Sequence, residues 1–187
     1  MPTPSLPAPE SLHIIHFPDP RLRKRADDVL PEEFGPQLTA IVQRLFELMR
    51  QDRGVGLAAP QVGWLKRLFV MNHSGKPEDD RVYINPTLTD PEGTETDEEG
   101  CLSLPGIRAN IARDFKITVT AQDLTGRSFT ETAEGYVARV WQHEYDHLNG
   151  TLLIDRMGPV ARMQCRKKLK ELEEKFLRSL KIPTSVP

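Results

Sequence analysis

Residues 142–147 read "QHEYDH", and this short stretch decides what kind of site the fold must build. His143 and His147 stand four residues apart, with Glu144 directly after the first histidine. On a helix this spacing places both imidazoles on one face, where they can share a metal ion. The adjacent carboxylate is the proton acceptor that metal hydrolases require. Because a catalytic metal centre has three protein ligands and one open position, a third ligand must come from elsewhere in the chain.

Two alternatives for the third ligand lie after the histidine pair. An extended zinc-protease pattern continues H-x-x-G-x-x-H; Gly150 falls at its glycine, but Leu153 stands where the histidine is needed. A glutamate on a later helix, Glu171 or Glu174, would instead give a zinc metalloendopeptidase. Both glutamates lie in "KKLKELEEK", whose alternating charge is typical of a solvated helix.

The remaining candidate is Cys101, in "EEGCLSLPG". This stretch is polar and bounded by glycines, so a lone thiol has little packing reason to be there. Thiolate and neutral imidazole are both good donors for a first-row divalent ion.

The bulk composition describes an ordinary globular chain. It has 187 residues, 38% hydrophobic and 28% charged, which suits one domain with a single core. A net charge of -2 gives no reason to expect DNA as a partner. No segment has the length and apolar character of a membrane span or an export signal, so we expect no membrane partner. Cys101 and Cys165 should then stay reduced in the cytoplasm.

Hydrophobic periodicity predicts three helices around a set of strands. The first helix starts at Pro36, the second spans roughly residues 133–148 before Asn149-Gly150, and the third carries one apolar stripe. That stripe consists of Val160, Met163, Leu169, Leu172, Phe176 and Leu180. Strands are predicted at "RLFVMN", at "RVYINP" and from Phe115 to Ala121, the last pairing with "RSFTE". The acidic run "TDPEGTETDEEG" is interpreted as a solvated loop.

These elements predict an α+β fold, in which antiparallel strands surround a central metal-binding helix flanked by an N-terminal and a C-terminal helix. Residues 1–11 are predicted to form an irregular proline-rich arm, residues 12–180 a single domain and residues 181–187 a C-terminal tail.

Three separated stretches resemble, in this order, the signature motifs of the peptide deformylases: "GVGLAAPQ" at 54–61, "EGCLS" at 99–103 and "QHEYDH" at 142–147. The similarity continues from "FPDPRLRKRADDV" through "HLNGTLLIDRM" and covers most of residues 12–157. The resemblance implies a catalytic domain that removes the N-formyl group from formyl-methionine of nascent polypeptides. It also implies that Cys101, His143 and His147 hold one divalent metal ion.

The resemblance favours Fe2+ as the native ion, with Zn2+, Ni2+ or Co2+ in purified protein, because ferrous iron beside a thiolate oxidises readily. The ligand types alone do not choose between iron and zinc.

The expected chemistry assigns roles to three further residues. A metal-bound water becomes hydroxide near neutrality and attacks the formyl carbon, while Glu144 takes its proton and passes it to the departing amine. The formyl oxygen then gains negative charge. The side-chain amide of Gln61 and the backbone N–H of Leu102 are the donors expected to stabilise it.

Substrate contacts are predicted on both sides of the metal. Gly54 and Gly56 permit a tight turn and a close approach of backbone to an extended peptide. Tyr136 and Val140 share the helical stripe of the histidines and would form a wall for the methionine side chain, with core packing as the alternative. The remaining candidates for substrate binding are Val55 and Leu102 in this pocket, together with Glu99 and Arg108, of which Arg108 would hold Glu99 or the peptide. Asp146 is expected to be a carboxylate that orients a neighbouring arginine or histidine.

Two other functions stay open at this point. One is the metalloendopeptidase with a glutamate ligand; the other is a non-catalytic metal-binding or ribosome-associated module, which Glu144 and Gln61 argue against. Independently of these, contact with ribosomal RNA is a hypothesis for a basic patch on the last helix, formed by Arg166, Lys167, Lys168 and Lys170.

Overall fold

The computed structural model describes residues 6–181, the last of them in backbone only. Residues 182–187 of the predicted C-terminal tail and the first five residues of the predicted arm therefore lie outside the described residues, whereas residue 181 ends the last helix. The helices in this range are α1 (Pro36–Gln51), α2 (Gly135–Leu148), α3 (Leu153–Arg156) and α4 (Pro159–Lys181). The strands are β1 (Gly56–Ala58), β2 (Leu68–Met71), β3 (Arg81–Glu92), β4 (Glu95–Gly100), β5 (Arg108–Arg113), β6 (Lys116–Gln122) and β7 (Ser128–Glu134).

The strands form two separate antiparallel sheets. The larger has the order β1-β2-β3-β6-β7, and the smaller is the β4–β5 hairpin. The predicted alternation is confirmed from Ile117 onward: Ile117, Val119 and Ala121 are buried, and β6 pairs with β7 throughout its length. It is wrong for Phe115, which lies before β6 and is exposed. This arrangement confirms the α+β prediction.

Helices α1 and α2 pack on opposite faces of the larger sheet. Strand β2 makes this clear, because successive side chains of a strand point to opposite faces. Leu68 and Val70 join the cluster of α1, whereas Phe69 and Met71 join the cluster of α2. A strand covered on both faces has to be apolar at every position, as β2 is.

Helix α2 is central because its other side faces the β4–β5 hairpin. A further apolar cluster lies around that hairpin and includes Ala109 and Ile111 of β5, Leu153 of α3 and Leu172 of α4. The metal motif therefore lies between two sheets. Within residues 6–181, no helix combines the length and the hydropathy of a membrane span.

The interpretation of residues 89–100 as a loop is wrong. They form the end of β3 and all of β4, and β4 pairs with β5 from Glu95↔Arg113 to Gly100↔Arg108. Acidic residues are unfavourable in strands by local preference. Here the pairing partner decides, and most of these side chains remain exposed as expected.

The apolar stripe of α4 is only partly covered. Leu172 is buried and Leu169 and Phe176 are partly buried, but Val160, Met163 and Leu180 are exposed. The helix contacts the hairpin cluster by its middle, so the predicted apolar stripe is buried there and exposed toward both ends.

Candidate active site and metal centre

Helix α2 carries both histidines, and local sequence determines where the helix begins and ends. It begins at Gly135, two residues after the predicted start, where φ is +58° and the N–H donates to the Phe115 carbonyl. It ends before Asn149 and Gly150 as predicted, with Gly150 at φ +71°. His143 and His147 lie on the same face, 9% and 1% exposed.

Cys101 comes from the other side of the site. It follows the last residue of β4 directly, and its Sγ lies 3.3 Å from His147 Nε2. The ligand atoms of Cys101, His143 and His147 all lie within 4.8 Å of one another. Among the described residues this is the one such group of potential ligands.

The donor set fits a divalent metal ion. His143 presents Nδ1 to Glu99 Oε2 at 2.9 Å, which leaves its Nε2 free to coordinate. Burial and the neighbouring His143 lower the pKa of His147 and so favour its neutral, coordinating form. Burial acts the same way on His143, but hydrogen bonds to Cys101 and Glu99 outweigh it and raise its pKa. A thiol and a carboxylate beside two imidazoles favour a cation at their centre.

Glu99 is the centre of a buried ionic network. Its Oε1 accepts from Arg113 Nε and Arg139 Nη1, both at 2.9 Å, and its Oε2 accepts from Arg113 Nη2 at 3.0 Å. Burial would raise the pKa of Glu99, but the hydrogen bonds from His143 and Arg113 outweigh it and hold the pKa at about 2. With both oxygens engaged, Glu99 orients His143.

Asp146 extends this network to α3. Its Oδ2 accepts from Arg113 Nη1 at 2.6 Å and from Arg156 Nε at 3.0 Å. This matches the expectation that Asp146 orients a neighbouring arginine. Arg108, in contrast, pairs with exposed Glu98 at 3.3 Å instead of Glu99.

Glu144 is buried beside the ligands and close to the backbone of β1. Burial raises its pKa to about 7, although His143 lowers it. Its Oε2 has no hydrogen-bond partner among the described residues. A Cβ added to Gly56 would lie 2.3 Å from Glu144 Oε1, so the carboxylate can occupy this place only beside glycine.

Gln61 is fixed on a 3-10 turn, Ala59–Val62, directly after β1. Its Oε1 accepts from the Ala58 N–H at 2.8 Å. Its Nε2 points to Ser103 Oγ at 3.3 Å and to Cys101 Sγ at 3.6 Å. The backbone contact therefore orients the amide so that its donor side faces the candidate ligand Cys101.

A cavity of about 700 Å³ opens over this site. Cys101, His143, Glu144, Gln61 and Leu102 line it, so the structure brings the predicted chemistry together. All predicted substrate residues line it as well: Val55, Gly56, Glu99, Arg108, Tyr136 and Val140. Tyr136 is 52% exposed at the rim, whereas Val140 is 5% exposed.

Sequence reasoning missed Arg113, Arg139 and Ser103. Arg139 carried a usable signal, because it lies four residues before His143 and therefore on the metal-facing stripe of the helix. Arg113 and Ser103 carried none, since their roles depend on the pairing of β4 with β5 and on the fold of the following loop.

Comparison with known sequences identifies one family. The profile described as Polypeptide deformylase matches residues 11–163. A peptide deformylase of Thermotoga petrophila is 48% identical over 158 residues, which is 83% of this chain and 93% of the relative. A peptide deformylase of Chromobacterium violaceum is 40% identical over 163 residues, 87% of this chain and 96% of the relative.

Solved structures agree with the sequence comparison. The crystal structure of a plant peptide deformylase superposes with a TM-score of 0.89 at 34% identity, covering 98% of this chain and 100% of the other. The peptide deformylase of Plasmodium falciparum gives a TM-score of 0.86 at 35% identity, covering 94% of this chain and 100% of the other.

Proposed function

The chain belongs to the polypeptide deformylase family, and from this premise we propose that Cys101, His143 and His147 hold its metal ion while Glu144 transfers the proton. The enzyme is a peptide deformylase, a hydrolase that removes the N-formyl group from formyl-methionyl nascent peptides. One observation carries the assignment of residues: three ligand atoms lie within 4.8 Å of one another beside a buried carboxylate.

The native ion in this proposal is Fe2+. When bound, it supplies Lewis acidity that lowers the pKa of water and polarises the formyl oxygen. Two imidazoles and a thiolate also accept Zn2+, Ni2+ and Co2+, so the ion found after purification depends on metal supply and oxygen.

Glu144 acts as both base and acid. Its free Oε2 takes a proton from the attacking water and later gives it to the amine nitrogen as the carbon–nitrogen bond breaks. Formate and a free amino terminus are the products. The close approach of Gly56 keeps the carboxylate in place during both transfers.

Gln61 and Leu102 stabilise the negative charge that develops on the formyl oxygen. Gln61 Nε2 is held toward the metal ligands because its Oε1 is tied to Ala58. Leu102 follows Cys101 directly, so its N–H lies beside the sulfur. Donors fixed in advance stabilise such charge far better than water does.

The peptide lies along β1 in this proposal. Among the described strands β1 pairs only with β2, so its second edge is free for an extended chain. Val55 and Gly56 at this edge line the cavity, and Val140 and Tyr136 lie across from them. The methionine side chain would fit between Val55, Leu102 and Val140.

The metalloendopeptidase alternative is not favoured. Glu171 and Glu174, its candidate ligands, are exposed on α4 and form ion pairs with Lys168 and Arg178. The third ligand is available from Cys101 without them.

Formate release from a formyl-methionyl tripeptide, with anaerobically purified enzyme, tests the proposal. Glu144→Gln keeps the shape of the side chain but removes the base, and we expect kcat to fall about 10²- to 10⁴-fold with full metal content. Cys101→Ser should lose both activity and metal.

The pair of variants separates the two roles. Full activity of Glu144→Gln would refute the proton-transfer role, and unchanged metal content of Cys101→Ser would refute the ligand assignment. Cleavage of N-blocked, unformylated peptides by the parent enzyme would support the endopeptidase instead.

We further propose a single catalytic domain at residues 12–180, a cytoplasmic location and contact of α4 with the ribosome. The basic patch supports the last point, since Arg166, Lys167, Lys168 and Lys170 are all exposed. Co-sedimentation with ribosomes over a salt series tests it. Reversal of the four charges should abolish binding, and unchanged binding would remove the idea.

A further inference from the structure

We infer that Arg139 is a positioning residue that sets the distance between Cys101 and the two histidines. The inference rests on the proposed metal site, whose ligands come from two elements. The histidines belong to α2, and the cysteine follows β4 of the separate hairpin. Their relative position therefore depends on what joins the helix to the hairpin.

The guanidinium of Arg139 joins them at several points. It lies on α2 one turn before His143 and is 3% exposed. Its Nη1 donates to Glu99 Oε1 at 2.9 Å and to the Ile111 carbonyl at 2.8 Å, and its Nη2 donates to the Glu95 carbonyl at 2.9 Å. One side chain of the helix is thus bonded to both strands of the hairpin.

The contacts of Arg139 with β4 follow the strand in the direction of Cys101. Residues two apart in a strand have the same orientation. This spacing joins Glu95, Asp97, Glu99 and Cys101. Arg139 contacts the first three of them, with a long bond of 3.5 Å to the Asp97 carbonyl. The cysteine is the next residue in this series, and β4 ends just before it.

Apolar packing reaches the strands of the hairpin through β5, where Ala109 and Ile111 join the cluster of α3 and α4. None of the described residues of β4 belongs to that cluster. A two-stranded sheet is marginally stable by itself, and the outer side chains of β4 are acidic and exposed. Arg113 of β5 also joins the hairpin to α2, because its Nη1 donates to Asp146 of the helix. Arg113 contacts side chains only, whereas Arg139 binds the backbone of the strand that leads to Cys101.

The test measures metal binding directly in the cobalt(II) enzyme. Competition with a chelator gives the affinity, and the thiolate-to-cobalt charge-transfer absorption reports the sulfur–metal contact. Removal of a group that orients a metal ligand typically lowers affinity roughly 10- to 100-fold. We expect this loss, with weaker charge-transfer absorption, for Arg139→Met.

Arg139→Lys keeps the charge but replaces the planar fork by a single ammonium group. It can reach Glu99 but cannot span both strands, so we expect a smaller loss of affinity, about tenfold. If Arg139→Met does not fold, the lysine variant carries the test alone. Parent-like affinity and absorption in the lysine variant would then overturn the inference.

Arg67→Met is the matched control. Arg67 is also buried, at 7% exposure, and it contacts Asn149 and the ring of Tyr145 on the sheet side of α2. Its loss should lower stability without changing cobalt affinity or absorption. An equal loss of affinity in both variants would assign Arg139 a merely structural role and overturn the inference.

Cys101→Ser separates this inference from the proposed site. If the serine variant keeps the charge-transfer absorption, the ligand assignment itself fails. If it loses the absorption while Arg139→Met keeps both absorption and affinity, only the positioning role fails. A rise in KM alone in Arg139→Met would indicate a direct contact with the peptide and would also overturn the inference.

Discussion

Helix α2 and the β4–β5 hairpin both contribute candidate ligands to the site, but different forces hold them. Helix α2 packs Ala138 and Trp141 into the apolar cluster of the larger sheet. The hairpin meets α2 mainly through charged groups, with Glu99 at the centre. The distance between the two histidines is fixed by helix geometry, whereas the position of Cys101 depends on buried ion pairs. We therefore expect substitutions in the ion-pair network to displace the cysteine while leaving the spacing of the two histidines intact.

Arg113→Met should have the largest effect on stability of the substitutions considered, because it removes a buried cation of the hairpin network. Arg113, Glu99 and Asp146 have side chains 4%, 5% and 9% exposed. Loss of the cation removes two hydrogen bonds from Glu99 and the buried partner of Asp146, and breaking such a buried pair costs about 3–5 kcal/mol. Urea unfolding of the metal-free protein measures the change without a contribution from metal binding.

Arg156→Met is the control for this prediction. Arg156 also binds Asp146, but its side chain is 49% exposed. A pair exposed to this degree contributes about 1 kcal/mol or less. Equal destabilisation by the two variants would contradict the view that burial of the hairpin network is decisive.

Gly56→Ala should displace Glu144 of α2 and leave the candidate metal ligands in place. The new Cβ would lie 2.3 Å from Glu144 Oε1, so the carboxylate must move. A displacement of about 1 Å in a catalytic group can cost about 100-fold in rate, roughly 2.7 kcal/mol. We expect this fall in kcat with unchanged metal affinity, measured by formate release and chelator competition.

Gly158→Ala is the matched substitution, because a Cβ at Gly158 meets no atom within 4 Å. It should keep full activity. Loss of metal from Gly56→Ala would show that β1 also positions the ligands and would contradict the expectation of unchanged metal affinity.

Arg108→Ala should have the smallest effect, because this arginine of the hairpin is exposed whereas Arg113 is buried. Its side chain is 62% exposed and its partner Glu98 is 56% exposed. The free energy of unfolding should change by no more than about 0.5 kcal/mol. If Arg108 contacts the peptide, KM rises by at most about tenfold, equivalent to about 1.4 kcal/mol. Marked destabilisation would contradict this prediction.

The predictable part of the molecule is the part that local sequence determines. The period of α1, the alternation of β6 and the glycine after α2 all appear in short windows of sequence, and the structure confirms them. The pair of histidines follows from helix geometry in the same way.

The hairpin could not be predicted by the same means. Acidic residues 95–100 show no strand pattern, and only their pairing with β5 makes them a strand. The burial of Arg113 and Arg139 is also hard to predict, because an arginine in isolation is expected on the surface; only the helical position of Arg139, four residues before His143, gave a signal. Arg113 and Arg139 are buried only because Glu99 and backbone carbonyls come to them from distant parts of the chain.

Among the described strands one edge of β1 is unpaired, and the proposed binding of peptide there has a consequence for how the enzyme treats diverse proteins. Strand edges offer N–H and C=O groups that every amino acid can match, so a chain bound there is held by features common to all sequences. Discrimination is then concentrated at the first residue, where side chains form a pocket. Such a division suits an enzyme that must process thousands of different gene products while ignoring every chain that lacks the starting group.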